Sequence, residues 1–237
     1  CDMPLLAADV VRFIGEKVAA VAADSEEIAE RALEQIEIEY DELSPLLDPM
    51  ESLSPTAPLL HPDVMEYKGL PGKLATPSNA LVQLSWKKGD LEEGFRRADI
   101  IVENIFRTPA VHQAYIEPHS CVVKADESGS AEIWACCKVP FALRDQMAGA
   151  FGVPAEKFLV HPCNIGGDFG GKGDFMDVPA AYLLSLKSGR PVKMVMDCDD
   201  EFLAGNPRHA AIVKVRSGVS RDGRILAHHM DFVFDSG

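Results

Sequence analysis

Apolar and polar positions alternate along this chain in short blocks, and their spacing predicts the elements. Residues 10–14 and 18–23 are β-branched or small apolar runs separated by Gly15-Glu16-Lys17, which predicts two strands. Asp24 with Glu27 three residues later predicts a capped helix start. Ile28, Ala32, Gln35 and Ile36 then fall at i, i+4, i+7 and i+8, with Glu26, Glu27, Glu30, Arg31 and Glu34 on the wet side. Ile36-Glu37-Ile38-Glu39-Tyr40 alternates with period two, the pattern of a half-buried strand. No apolar period crosses residues 54–79, which hold Pro55, Pro58, Pro62, Pro71 and Pro77, so that stretch is predicted to be a linker between units at 1–53 and 80–237.

The second unit opens with a predicted strand at 81–86, a Lys88-Gly89-Asp90 turn, a helix over 91–98 and a long strand over 100–107. Strands follow at 121–125 and 131–136. After Pro140, Leu143, Met147, Ala150 and Phe151 share a helix face, and Gly152 sits where a left-handed C-terminal residue is wanted. A strand at 158–161 leads into a glycine-rich segment. Next come a helix with Phe175, Val178, Tyr182 and Leu186 on one stripe, a strand at 192–196, a short helical or irregular stretch through Phe202, and two strands joined by the Asp222-Gly223 turn. No internal repeat is visible, and the mixed order predicts an α+β architecture.

Composition narrows the class. The 237 residues are 47% hydrophobic and 25% charged, as in an ordinary globular protein, and at roughly 150 residues per domain they predict one to one and a half domains. Lys and Arg total 23 against 37 Asp and Glu, a formal charge of −14, which argues against a nucleic-acid partner or an anionic membrane surface. No run approaches the roughly 20 apolar residues of a membrane span. The six cysteines (Cys1, Cys121, Cys136, Cys137, Cys163 and Cys198) form no CxxC pair and read as reduced thiols of a cytoplasmic protein. The chain lacks an initiator Met and closes on a strand-like alternation, so it is expected to be a piece of something longer.

Candidate chemistry concentrates in Gly166-Gly167-Asp168-Phe169-Gly170-Gly171-Lys172-Gly173. Glycines let backbone N–H groups approach a ligand closely, which suits an anion or an oxo group. Gly166, four residues, Gly171 and Lys172 reproduce the GxxxxGK of a phosphate loop, a nucleotide triphosphatase reading. Against it, Gly173 stands where a magnesium-binding hydroxyl belongs, and Asp168 puts a carboxylate into the cradle. A turn with glycines for tight packing only is the plain alternative. His112, His119, His161 and Cys163 fit no zinc spacing and read as satisfied or solvated side chains. Glu117, before Pro118, reads as a structural cap or pair.

The run Ile165-Gly166-Gly167-Asp168-Phe169-Gly170-Gly171-Lys172 resembles the GGxFGGK loop of the xanthine dehydrogenase and aldehyde oxidase family, the molybdenum hydroxylases. Val11-Arg12-Phe13-Ile14-Gly15-Glu16-Lys17-Val18-Ala19, with Ile38-Glu39-Tyr40-Asp41-Glu42-Leu43, is similar to the latter part of the family's α/β hammerhead domain. Gly89-Asp90, Ala98-Asp99 and His112-Gln113-Ala114-Tyr115-Ile116-Glu117-Pro118-His119 resemble the entry to its molybdopterin-binding domain, and Glu201-Phe202 with Asn206-Pro207-Arg208-His209 resembles a later segment. The resemblance thus implies a partial hammerhead over 1–53, a linker over 54–79 and the first part of a mixed α+β molybdopterin-binding domain over 80–237.

It also implies roles. Gly166, Gly167, Phe169, Gly170 and Gly171 would face a molybdopterin-type cofactor, with the backbone at Phe169 and Gly170 near the molybdenum without side-chain ligation. Arg208 would orient the substrate. Lys138 stands where many members carry a Gln directed at the molybdenum oxo group; a Lys donates but cannot accept. The xanthine-type members place a substrate-binding Glu directly after the loop Lys, whereas this chain has Gly173 and then Asp174, which argues against xanthine. The implied activity is oxidation of N-heterocycles or aldehydes with water-derived oxygen. The cofactor is expected in its cytosine dinucleotide form, with 2Fe–2S and FAD on partner domains or subunits, since neither has a motif here. The family's catalytic Glu is expected beyond residue 237, leaving this chain inactive by itself. A non-catalytic assembly piece of the same fold is the alternative that Lys138 and Gly173 favour.

Overall fold

The computed structural model describes residues 4–67 and 75–236. In chain order it has helices α1 (Glu26–Leu33), α2 (Pro49–Ser52) and α3 (Leu91–Arg97), then strands β1 (Ile100–Thr108), β2 (Ser120–Ala125) and β3 (Ala131–Ala135). Helix α4 (Pro140–Phe151), strand β4 (Phe158–Pro162), helix α5 (Val178–Ser188), strand β5 (Val192–Val195), helix α6 (Cys198–Ala204), and strands β6 (Ala210–Val219) and β7 (Ile225–Asp235) complete it. The class is α+β, as predicted. Two units emerge: the described part of Leu43–Val111 with residues 208–236, and residues 4–42 with His112–Pro207.

The larger core lies in the second unit. Its four-stranded sheet runs β4-β3-β2-β5, with β2 antiparallel to β3 and β5, and β3 parallel to β4. A parallel pair needs a crossover, and α4 supplies it. Period two places Cys121, Val123 and Ala125 of β2 opposite Ala135, Ile133 and Ala131 of β3 on one face. That face is covered by Leu143 and Met147 of α4 and Ala181 and Tyr182 of α5, all buried. Tyr182 Oη donates to Gly129 O at 2.8 Å, which satisfies its buried phenol. Gly152, at φ 64° and ψ 27°, ends α4 in the left-handed conformation expected of it. Phe175, predicted on the α5 stripe, stands before the helix and packs on the core from the preceding loop; α5 begins at Val178, so that Pro179 falls in its first turn, where no N–H is needed.

In the first unit β1, β6 and β7 form an antiparallel sheet in that order. The Asp222-Gly223 turn joins β6 to β7 as predicted, with Gly223 at φ 85°. Helix α3, capped by Asp90 Oδ1 accepting from Glu93 N at 3.0 Å, lies against β7 where Gly94 leaves no room for a Cβ beside Leu226 O. Within 54–79, predicted to be a linker, Val64 is fully buried in a 3-10 turn, and Pro71 falls outside the described residues.

Several predicted strands are corrected. Residues 10–14, 18–23, 36–40 and 81–86 join no ladder among the described residues. Alternation states which residues share a face, whereas a strand also needs a neighbour to exchange backbone hydrogen bonds; Ile38, Tyr40 and Trp86 are exposed accordingly. The start of α1 moves by one residue. Ser25, not Asp24, is its cap, accepting from Ile28 N, while Asp24 pairs with Arg190. The helix ends at Leu33, so Gln35 and Ile36 lie beyond it, where their N–H groups close turns on Ala32 O and Leu33 O.

Candidate functional site

The glycine-rich segment lies in the second unit between β4 and α5, and its anchors come from the stretch that leads into β2. Lys172 has 0% of its surface exposed, so its ammonium requires a counter-charge. Glu117 Oε2 supplies it at 2.5 Å, and the face of the Tyr115 ring lies 4.8 Å from the same nitrogen. That one oxygen also accepts the Gly166 N–H at 2.8 Å, so a single carboxylate holds the first glycine and the closing lysine together. The packing is close. A Cβ on Gly166 would stand 2.8 Å from Glu117 Cβ, and one on Gly171 would stand 2.6 Å from Tyr115 Cε1.

Asp168 is turned into its own loop. Oδ2 accepts from Gly170 N at 2.9 Å and from Lys138 Nζ at 2.9 Å, and Oδ1 accepts from Lys172 N at 2.7 Å. Burial pushes the Asp168 carboxyl up, but the Lys138 ammonium and the two N–H donors outweigh it and hold the group below the usual range. These bonds keep the apex in an unusual conformation, with Phe169 at φ 44° and 68% exposed. The N–H groups of Gly167 and Asp168 find no partner among the described residues. An outward loop with open backbone donors, and with its carboxylate already engaged inward, fits an oxygen-bearing anion or oxo group.

Beneath the loop lies a buried polar cluster. Tyr115 Oη donates to Glu201 Oε2 at 2.8 Å, and His119 donates its backbone N–H to Glu201 Oε1. His119 Nδ1 lies 3.0 Å from Glu201 Oε2, within hydrogen-bond reach of the carboxylate. Burial would raise the Glu201 carboxyl, yet the donors from His119 and Tyr115 bring it below its ordinary value. Burial and the Glu201 carboxylate together push the Tyr115 phenol up. Helix α6 fixes Glu201 through a reciprocal capping box between Asp197 and Asp200. Gln113 Oε1 and His119 Nε2 are buried and lack a hydrogen-bond partner among the described residues.

Of the residues singled out in the sequence, the structure brings together Lys138, Gly166, Gly167, Phe169, Gly170 and Gly171. Arg208 belongs to the first unit, where it exchanges backbone hydrogen bonds with Val111. The phosphate-loop reading is overturned: its lysine is sealed against Glu117 and Tyr115, and the following helix starts only at Val178, too late to present its N-terminus to the loop. His161 stacks on Trp134 and pairs with Glu132 at 3.0 Å. Tyr115, Gln113 and Glu201 are site residues that spacing alone missed. Glu201 ends the run Asp199-Asp200-Glu201, which looks like solvated acid until burial singles it out.

A glycine loop between β4 and α5 of an α+β unit is the candidate cofactor face, and the comparisons with known proteins specify the family. The chain belongs to the aldehyde oxidase and xanthine dehydrogenase family: the model for the molybdopterin cofactor-binding domain matches residues 74–237, and that for the aldehyde oxidase and xanthine dehydrogenase a/b hammerhead domain matches residues 1–44. It is 36% identical to a probable xanthine dehydrogenase subunit of Bacillus subtilis (strain 168), covering 100% of this chain and 30% of that protein. It is 29% identical to the nicotinate dehydrogenase large molybdopterin subunit of Eubacterium barkeri, covering 100% of this chain and 52% of that one. Among solved structures, the Cu,Mo-CO dehydrogenase in its carbon monoxide reduced state superposes with a TM-score of 0.84 at 28% identity, over 98% of this chain and 30% of that chain. The chain thus spans between about a third and a half of the length of these relatives.

Proposed function

We propose that this chain contributes the glycine-loop face of the cofactor site in a molybdenum-dependent hydroxylase that oxidises an N-heterocycle or an aldehyde with water-derived oxygen. The observation that carries the reading is the loop apex, where the Gly167 and Asp168 N–H groups stay open and the loop's own carboxylate is engaged by Lys138, in a chain of this family. A bound molybdopterin cofactor supplies two-electron chemistry at molybdenum. The chain's own part is to bind and orient. Gly166, Gly167, Gly170 and Gly171 let the backbone come close, and the exposed Phe169 ring shapes the substrate side. Lys138, neutralised by Asp168, holds the apex rather than adding a free charge. Arg208, permanently charged, orients the substrate.

The name of the Eubacterium barkeri relative points to an N-heterocycle, and Gly173 in place of the family's acid points away from xanthine. We further propose the cytosine dinucleotide form of the cofactor, electron exit through 2Fe–2S and FAD partners, and a cytoplasmic setting. The test is metal analysis and turnover of the enzyme containing this chain. Stoichiometric molybdenum and oxidation of N-heterocycles or aldehydes are expected, and Phe169→Ala should raise KM for a bicyclic heterocycle more than it lowers kcat. A preparation without molybdenum would remove the proposal. Lys138 in the family's Gln position favours a second reading, a non-catalytic assembly piece; unchanged metal content and activity in Lys138→Gln would support it.

A further inference from the structure

We infer that Glu117 is the positioning residue of the glycine loop: its Oε2 clasps Gly166 and Lys172 and thereby sets the geometry of the apex presented to the cofactor. The inference rests on the proposed reading of this loop as the cofactor face. The loop leaves the protein at Gly166 and returns at Lys172, and both ends are held by the same oxygen atom, at 2.8 and 2.5 Å. Between those ends, the bonds to Asp168 fix the positive-φ apex. A loop with both feet on one atom cannot widen without breaking a charge-assisted hydrogen bond. Hydrogen bonding to Lys172 is also what chiefly holds the Glu117 carboxyl below its ordinary range, consistent with a permanently charged clasp.

The two partners are not equivalent. The Lys172 side chain is 0% exposed whereas that of Glu117 is 34% exposed. Removing the lysine charge leaves a carboxylate that water can reach. Removing the carboxylate charge leaves the buried ammonium without a counter-charge, beside a neutral side chain and the Tyr115 ring, and the loop must open to hydrate it. In Glu117→Gln the amide oxygen still accepts from Gly166, so the variant deletes the charge and keeps the shape. Pairing it with Lys172→Met removes the stranded ammonium altogether.

The experiment is amide hydrogen exchange on the enzyme containing this chain, prepared with and without cofactor, as wild type, Glu117→Gln, Lys172→Met and the double variant. In Glu117→Gln, exchange across residues 166–173 is expected to quicken by about tenfold, the scale of one charge-assisted bond, with β2 and β3 unchanged. Lys172→Met should have a smaller effect, and the double variant should recover most of the protection. At equal molybdenum content, the electron paramagnetic resonance signature of Glu117→Gln should shift, which a merely structural residue would not cause. Unchanged exchange in the loop, or equal acceleration of loop and core in all three variants without recovery, would overturn the clasp. If the wild type holds no molybdenum, the functional reading falls while the exchange result still judges the clasp in cofactor-free protein.

Discussion

At Gly171 an ideal Cβ would meet Tyr115 Cε1 at 2.6 Å and Gln113 Oε1 at 3.0 Å, whereas at Gly173 the nearest atom, Lys138 Cε, is 3.4 Å away. Two glycines of one motif therefore carry different constraints. Gly171→Ala should cost about 1–3 kcal/mol, because the rigid Tyr115 ring must shift in an overpacked site, while Gly173→Ala should stay within about 0.5 kcal/mol. Urea denaturation of the two variants checks this, and equal losses would contradict it. The cysteines differ in the same way. Burial pushes the Cys121 thiol up to about 12, leaving it protonated and shielded, while Cys163 and Cys198 are exposed. At pH 8 iodoacetamide should label Cys163 and Cys198 in the native state and reach Cys121 only on unfolding, as peptide mass spectrometry would show.

Among elements, α6 has seven residues and could not persist alone. Its capping box and the inward-facing Glu201 tie it to the site, since Glu201 meets Tyr115 and His119. Asp197→Ala removes the acceptor for Asp200 N and should cost about 1 kcal/mol. The fall in urea midpoint measures that cost, and Asp197→Asn should recover most of it. Strands β2, β3 and β4 and helix α4 were legible because each pairs a clean period with a marked end, such as Gly152 after α4. The apolar run at 10–14 and the period-two run at 36–40 carried a strand signal of the same kind without a ladder partner among the described residues, and pattern alone cannot distinguish the two cases.

For the molecule as a whole, acid stability gathers these local effects. The Glu117, Asp168 and Glu201 carboxyls all lie below their ordinary values in the folded state. A lowered folded value means that the unfolded chain binds protons first on acidification. The stabilisation is complete above the unfolded values, near pH 4, and is lost as pH falls through the folded ones. Thermal midpoints should therefore drop steeply below about pH 4, and Glu201→Gln should flatten that limb by deleting one titrating group. An acid limb of identical slope in the variant would contradict the assignment. The −14 formal charge is the background to this titration and does not set its local order.

Residue types and their order suffice for the α+β class, most elements of the larger sheet, and the family, because the Gly166–Lys172 motif and the flanking segments are local strings. Direction and pairing, by contrast, come from the packed fold. Whether Asp168 points into a bound ligand or back into its own loop, whether Lys172 reaches a phosphate or is sealed on Glu117, and whether Glu201 is solvated or buried are long-range questions. Glu117 and Lys172 are 55 residues apart and Tyr115 and Glu201 are 86 apart. Contacts over such separations depend on how strands and loops pack, and burial, not spacing, makes an ammonium demand its carboxylate.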